Sequence, residues 1–351
     1  MLNNKKGKGV LRSRQVISAI AVAATAALVF TGCAAGSTGE GAAENASITF
    51  IPKNLNNPYT GVQLKGADEA SKELGMTYQA VGALDAAADS QVSFIQTEVQ
   101  NQTKIIVIAA NDPKAVCPAL EEARAGGAKI VTFDSDADVS CRDVFVTQVE
   151  EKEVALGQLK QLFDQIGGEG DIAILSATAA APNQNAWIAA MEAEIESNPD
   201  YNWNLVATVY GDDDDTKSFQ EAQGLLQANP NLKAIISPTT VGIAATARYL
   251  STSTYKGKVA LVGLGLPTQM KPYVKDGTVK GFALWDPSDV GYLAAQAGYA
   301  LLNGTITGKE GEKFTAGKLG EYTLGKNGRI VVGSLLEFTA DNIDEYDYIS
   351  F

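Results

Sequence analysis

At 351 residues the chain has room for about two domains with substantial cores. Its 45% apolar and 20% charged residues fit neither a disordered chain nor a polytopic membrane protein. The chain contains no histidine, which excludes Ser-His-Asp and Cys-His nucleophilic catalysis, imidazole acid/base steps and nearly all His-ligated zinc sites. A net charge of −13 would repel phosphate backbones, so no nucleic-acid partner is expected.

The first 33 residues read as an address. Lys5, Lys6, Lys8, Arg12 and Arg14 precede an apolar run from Val16 to Phe30, with no acidic residue before Glu40. This is the basic n-region and apolar h-region of an export signal, and the run is short for a bilayer span. It ends Val29-Phe30-Thr31-Gly32-Cys33, which resembles the lipobox of bacterial lipoproteins, with Phe30 where Leu is commoner; an ordinary signal that happens to carry a cysteine is the other reading. Residues 34–45 are mostly small and polar, as suits a flexible tether. Cys117 and Cys141 remain. In an exported chain this even remainder suggests a disulfide, against the alternative of two separate thiols.

Short β-rich runs then begin near Ala46, Met76, Lys104 and Ala128, each followed by helix-spaced residues such as Tyr59 to Leu74. A helical segment from Glu151 to Ile166 ends at Gly167-Gly168, placing a crossing between domains near Gln148. A second series begins near Asp171, Trp203, Lys233, Lys258 and Gly281, with helices such as Asn183 to Glu196 and Asp286 to Asn303. Val/Ile/Leu runs separated by crossover helices indicate α/β lobes built on parallel sheets covered on both faces. Near the C-terminus, Glu321 to Leu324 and Arg329 to Val332 flank Lys326-Asn327-Gly328, an Asn-Gly hairpin signal.

Open parallel sheets bind ligands at the carboxyl ends of their strands. Those ends deliver Lys53-Asn54 with Asn57-Pro58-Tyr59, Asn111-Asp112, Asp134-Ser135-Asp136, Asn183-Gln184-Asn185, Pro238-Thr239-Thr240 and Trp285-Asp286. Carboxylates and amides for hydroxyls, with aromatic faces for C–H surface, make a sugar-type lining. Arginine is missing from these ends and the full Gly-x-x-x-x-Gly-Lys-Ser/Thr phosphate loop from the chain, Gly320 to Lys326 having the spacing but Asn327 following it, which disfavours an anionic ligand. Taken singly, Asp112, Asn183 and Asp286 could each be no more than a helix cap, Lys53 a solvated loop charge, and Trp187 a core residue of its helix.

Sharper motifs fail. Asp134-x-Asp136-x-Asp138 begins like an EF-hand loop, but Val139 occupies the glycine position and Phe145 the bidentate glutamate position, so no metal is expected. Asp212 to Asp215 read as a solvated, dipole-complementing helix start, and Asp213 is expected to be dispensable for binding. Gly263-x-Gly265 has Thr268 in place of a third glycine, weak evidence for a dinucleotide.

From Ile48 to about Asn342 the chain resembles the type I periplasmic-binding-protein-like sugar receptors of ABC importers, most closely the L-rhamnose-binding proteins and the related autoinducer-2 receptors. The carrying segments are IPKN at 51–54 with NPY at 57–59, NDPKAVCPAL at 111–120, TFDSD at 132–136, NQNAW at 183–187, YGDDDD at 210–215, ISPTTVGIAA at 236–245 and ALWDP at 283–287.

The resemblance implies two doubly wound parallel-sheet lobes joined by a multi-strand hinge: one of residues 46–148 with about 287–318, the other of 149–286 with about 319–351. It implies a ligand set of Lys53, Asp134, Asn183, Gln184, Pro238, Thr240 and Asp286, with Tyr59 lining the pocket. It further implies a monomeric, non-enzymatic receptor without cofactor. That receptor would be anchored through Cys33 on the outer face of the cytoplasmic membrane, and would deliver a neutral monosaccharide to a membrane permease. An autoinducer-2 receptor would carry Asp in place of Asn183 and Ala in place of Thr240, so the rhamnose branch is the better match, although Asn would be expected at least as often at Asp286. A carboxylate-pair glycosidase using Asp134 and Asp286 and a repressor are the competing classes; an export signal stands where a repressor would need its DNA-binding module.

Overall fold

The computed structural model describes residues 45–350; the export signal, Cys33 and the tether up to Glu44 lie outside the described residues. The first strands are β1 (Ser47–Ile51), β2 (Thr77–Ala80), β3 (Ile105–Ile108), β4 (Lys129–Phe133) and β5 (Val144–Thr147), interleaved with α1 (Pro58–Glu73), α2 (Ala88–Gln100) and α3 (Cys117–Ala125). After α4 (Glu151–Ile166) come β6 (Glu169–Ser176), α5 (Pro182–Ser197), β7 (Asn202–Tyr210), α6 (Asp215–Ala228), β8 (Leu232–Ser237), α7 (Thr240–Thr252), β9 (Ala260–Gly263), α8 (Pro267–Lys275), β10 (Gly281–Leu284) and α9 (Pro287–Leu302). Four short strands close the chain: β11 (Lys313–Thr315), β12 (Glu321–Thr323), β13 (Arg329–Val331) and β14 (Leu336–Thr339).

These strands form a six-stranded sheet in the order β13-β5-β4-β3-β1-β2 and a four-stranded sheet in the order β7-β6-β8-β9, all neighbours parallel. The first sheet shows why continuous apolar runs were needed. Ile105 and Val107 point into one core, while Ile106 and Ile108 point into another, so the period of two along β3 buries both faces. Helices α1 and α9 cover one face and cross at very short range. A Cβ on Gly66 would stand 1.8 Å from the Ser288 carbonyl oxygen, and one on Gly291 1.9 Å from that of Gln63. Only glycine permits that approach, and it fixes α9, which enters from the other lobe, against the helix that begins at the cleft.

The C-terminal segment differs from its sequence-based expectation. The Asn-Gly hairpin does not form: β12 pairs antiparallel with β11, while β13 runs parallel beside β5 in the first sheet. Asn327 takes its left-handed conformation (φ 58°) in a 3-10 turn instead of a two-residue hairpin loop. The boundary expected near residue 319 therefore moves to the segment after Val331, because β14 pairs antiparallel with β10 on the second-lobe side. Chain passes between the lobes at 148–150, at 285–286 and at 332–335. The first and third passages are stitched together, with Val332 N donating to Thr147 O (2.9 Å) and Gly333 N to Gln148 O (3.1 Å).

Cys117 and Cys141 are joined in a disulfide that ties α3 to the turn after β4. Closing that loop of 24 residues' separation contributes roughly 3 kcal/mol in the chain-entropy model. Cys141→Ser is expected to lower the urea-unfolding free energy by about that amount; a change under about 1 kcal/mol would show that the bridge contributes little to the folded lobe.

Candidate functional site

The first lobe's wall begins where β1 ends. Asn57 caps α1, accepting from Tyr59 N at 3.0 Å, and Pro58 sits at the first helical position where its missing N–H is harmless. This sets Tyr59, Thr60 and Gln63 on the helix face turned to the cleft, with Lys53 on the strand-to-helix loop. Asp134 follows β4 in a left-handed conformation (φ 61°), uncommon for a residue with a Cβ. It is held there by Gln148, whose side-chain nitrogen donates to the Asp134 carbonyl oxygen at 3.0 Å and also to its Oδ1. Tyr59 donates to the same Oδ1 at 3.0 Å, and Trp285 Nε1 donates to the Tyr59 oxygen at 2.7 Å.

The second lobe supplies the facing wall. Pro182 opens α5, so Asn183 and Gln184 lie in its first turn, and β8 delivers Pro238, Thr239 and Thr240 at the start of α7. The two walls touch. Lys53 Nζ donates across the cleft to Asn183 Oδ1 at 2.7 Å and Gln184 Oε1 at 2.9 Å, and Thr240 Oγ1 donates to Asn57 Oδ1 at 3.3 Å. The structure is therefore a closed form.

Burial dominates the electrostatics. Lys53 is 8% exposed and Asp134 5%. Desolvation depresses the Lys53 ammonium below the ordinary lysine range, opposed by the nearby Asp134 and Asp213 charges. Desolvation also raises the Asp134 carboxyl, opposed by Lys53 and by the Tyr59 and Gln148 hydrogen bonds. The Tyr59 hydroxyl is pushed well above its usual value, by burial first and then by the Asp134 charge, so it remains a proton donor.

Of the sequence-predicted set, Lys53, Tyr59, Asp134, Asn183, Gln184, Pro238 and Thr240 all line one cleft. Asp286 is not among its lining residues: its Oδ1 accepts from Ser288 N at 2.9 Å and Ser288 Oγ at 2.8 Å, as the N-cap of α9. Its neighbour Trp285 takes the cleft position instead, edge-on to Tyr59 with ring centroids 6.3 Å apart and 5.8 Å from Trp187, which also faces the cleft. Asp112 caps its own turn through Lys114 N and Ala115 N.

Several cleft residues escaped the sequence reading. Asp214 caps α6 and Asp212 and Asp215 pair with Lys217 and Arg248, as a solvated helix start requires. Asp213 differs: successive left-handed residues at 212 (φ 54°) and 213 (φ 51°) turn its carboxylate into the cleft, where Thr239 Oγ1 donates to it at 2.5 Å. Gln63 Nε2 is buried in this wall without a hydrogen-bond partner among the described residues, a donor that a ligand oxygen would satisfy. Leu264 and Leu284 add an aliphatic patch. Nothing in a single sequence distinguishes such residues from ordinary core; the run of four aspartates was the one visible signal, and its phasing required the backbone. Among the described residues no three acidic or cysteine side chains gather as a metal site.

Side chains from two separate sheets thus converge on one enclosed polar and aromatic cleft, the architecture of a two-lobed binding protein that closes over a small molecule. Residues 48–306 match the periplasmic binding protein domain, and the chain belongs to that family. A crystal structure of a sugar ABC transporter from Actinomyces odontolyticus is 64% identical, covering 86% of this chain and 97% of that one with a TM-score of 0.70. An ABC transporter solute-binding protein from Clostridium phytofermentas with bound L-rhamnose is 35% identical over 88% of this chain and 99% of that one (TM-score 0.84). LsrB from Clostridium saccharobutylicum in complex with AI-2 is 26% identical over 86% and 100% (TM-score 0.81).

The displaced Asp286 leaves a trace one turn along α9. Burial, with repulsion from Asp286 and Glu69, lifts the Asp289 carboxyl to about 6, partly relieved by the Lys318 charge. Since the folded-state value lies above that of the unfolded chain, the native form binds the extra proton, and stability falls as pH rises toward and through about 6. Asp289→Asn is accordingly expected to raise the melting temperature at pH 7.5, with the gain vanishing near pH 4. An equal gain at both pH values would assign the effect to something other than charge.

Proposed function

We propose that this chain is the extracytoplasmic substrate-binding component of an ABC sugar importer, that its ligand is a neutral monosaccharide, and that L-rhamnose is that monosaccharide. It acts by binding, not by catalysis. The observation that carries the sugar is the composition of the cleft. Lys53, Asp134, Gln184, Asp213 and Thr240 offer charged, amide or hydroxyl partners for ligand hydroxyls, while Leu264, Leu284 and Trp285 offer an apolar patch. A 6-deoxyhexose presents that combination, several hydroxyls and one methyl group. Hydrogen bonds from ligand hydroxyls to charged groups contribute about 1.5 to 3 kcal/mol each, enough for micromolar affinity once closure has been offset. The 64% identical sugar transporter chain and the L-rhamnose-bound relative support this reading. Asn183 and Thr240, where an autoinducer-2 receptor would carry Asp and Ala, weigh against the autoinducer-2 alternative.

Ligand touching both walls favours the closed arrangement by its differential contacts with that form, and closure is the state a permease would read. We further propose lipidation at Cys33, which mass spectrometry of membrane-extracted protein would detect as a diacylglyceryl thioether.

Titration calorimetry of the chain from Ala34 onward should find L-rhamnose the tightest ligand in a panel containing L-mannose, D-ribose, D-apiose and autoinducer-2. L-mannose, which carries a hydroxymethyl in place of the methyl, should bind at least roughly tenfold more weakly, because the aliphatic patch leaves the added hydroxyl unpaired. Asp134→Ala should abolish measurable binding and Asp213→Ala should weaken it at least tenfold, whereas Asp286→Ala should act on stability through the lost cap, at about 1 kcal/mol. Tighter binding of autoinducer-2 would replace rhamnose as the ligand; released product from a glycoside would overturn the receptor reading altogether.

A further inference from the structure

Asp134 is wired into all three chain passages between the lobes. Gln148, 1% exposed and lying on the first passage, donates from its side chain to both the main-chain oxygen and Oδ1 of Asp134. Its own carbonyl accepts from Gly333 N on the third passage at 3.1 Å. Tyr59 brings a second donor to the same Oδ1 and is held by Trp285, which stands on the second passage. Two donors thus meet on one carboxylate oxygen, and the hydrogen bonds among the described residues leave Oδ2 to the cleft. A left-handed residue with no glycine's freedom needs such over-determination to persist, and here the anchors are hinge residues.

We infer that Gln148, which no motif marked as part of the site, is a positioning residue: it aims the free oxygen of Asp134 at the ligand and ties the occupancy of that oxygen to the set of the interlobe strands. Opening the lobes moves the passages on which Gln148 and Trp285 stand, so the carboxylate loses its alignment when the cleft opens. A ligand hydroxyl donating to Oδ2 favours the arrangement in which both anchors are engaged. The inference rests on the receptor reading above for its ligand, but its geometry does not depend on which sugar binds.

The charged and titratable groups around Asp134 are Lys53 from the end of β1, Tyr59 from α1 and Asp213 from the loop before α6, with Asp136, Arg142, Glu151, Lys326 and Arg329 bordering the hinge-side crevice that Asp134 also lines. None of these changes in a Gln148 variant, so the acid limb of the binding profile isolates the lost donor. With L-rhamnose as the probe, Gln148→Leu should weaken binding at least tenfold at pH 7.5 and move the acid limb of log Kd against pH upward by about one unit, because the ionised carboxylate has lost a donor. Gln148→Glu should behave oppositely: weak when ionised, and recovering as pH falls and the glutamic acid regains a proton to donate.

Carboxyl NMR titration of ligand-free protein labelled at aspartate supplies the readout that needs no sugar. The Asp134 resonance should titrate at higher pH in Gln148→Leu than in the parent, and Gln148→Met serves if the leucine variant fails to fold. Unchanged titration of Asp134 would overturn the positioning role whatever the sugar result, as would weakened binding with the acid limb in place. Failure of the parent protein to bind L-rhamnose would instead overturn the ligand assignment and leave the NMR comparison to decide Gln148.

Discussion

A lysine ammonium removed from water must find acceptors, and among the described residues Lys53 finds them only across the cleft. Its stem rises from the end of β1 in one lobe, while the oxygens that receive its hydrogens belong to Asn183 and Gln184 on the first turn of α5 in the other. Leaving a buried charge unpaired costs several kcal/mol, so the closed arrangement is compatible with that burial because the opposite wall is there. The Asp134 and Asp213 carboxylates add opposite charge from either side. One side chain therefore joins the architecture to its function: whatever separates the lobes also exposes or orphans this ammonium.

That arrangement is maintained at a cost to the ligand-free protein. Asp134 occupies a backbone region disfavoured for non-glycine residues, with its carboxyl raised by burial, while Lys53 is shifted in the opposite direction by the same burial. Both shifts mark ionised forms that the fold tolerates instead of favours. The stabilisation that offsets them lies elsewhere, in the two-faced apolar core of the six-stranded sheet, in the glycine-mediated contact of α1 with α9, and in the Cys117–Cys141 bridge beside the loop that carries Asp134. Strained polar groups in a cleft, supported by ordinary apolar packing around it, are what a binding site held ready before its ligand arrives requires.

Much of this was readable in the residues because the two periodicities are strong. Runs such as Lys104 to Ala110 and Asp171 to Ala177 alternate with helical spacing, and the ligand end of a parallel sheet follows from strand direction alone, which is why Lys53, Asp134 and Pro238 fall in one cleft. Two kinds of feature were not readable. At the C-terminus, Arg329 to Val331 has the composition of a hairpin strand, yet the open edge beside β5 competes for it, a long-range pairing that local turn chemistry does not reveal. At the ends of helices, one residue type serves two purposes. Asp286 and Asp213 both stand at or near a cap position, and only the backbone angles decide which carboxylate turns inward. The sequence pattern placed the tetrad of aspartates at a helix start correctly and could not phase its second member.

The division of labour within the cleft bears on how such a receptor acquires a ligand. Asp134, Gln148 and Tyr59 are hydrogen-bonded to one another and, through Gln148 and Trp285, to the passages between the lobes, while Lys53 is bonded to the opposite wall, so altering any of them disturbs closure as well as contact. Leu264, Leu284 and Thr240 are not part of that lock: two are aliphatic, and the third makes a single 3.3 Å bond to Asn57. Discrimination between sugars that differ in one hydroxyl or one methyl can therefore reside in these positions, where a substitution changes which ligand group is left unpaired. The L-rhamnose-bound and AI-2-bound relatives share this backbone although their ligands differ. In this chain the buried Lys53 and Asp134 form the charged part of the cleft wall, and Leu264, Leu284 and Thr240 form its aliphatic and hydroxyl part.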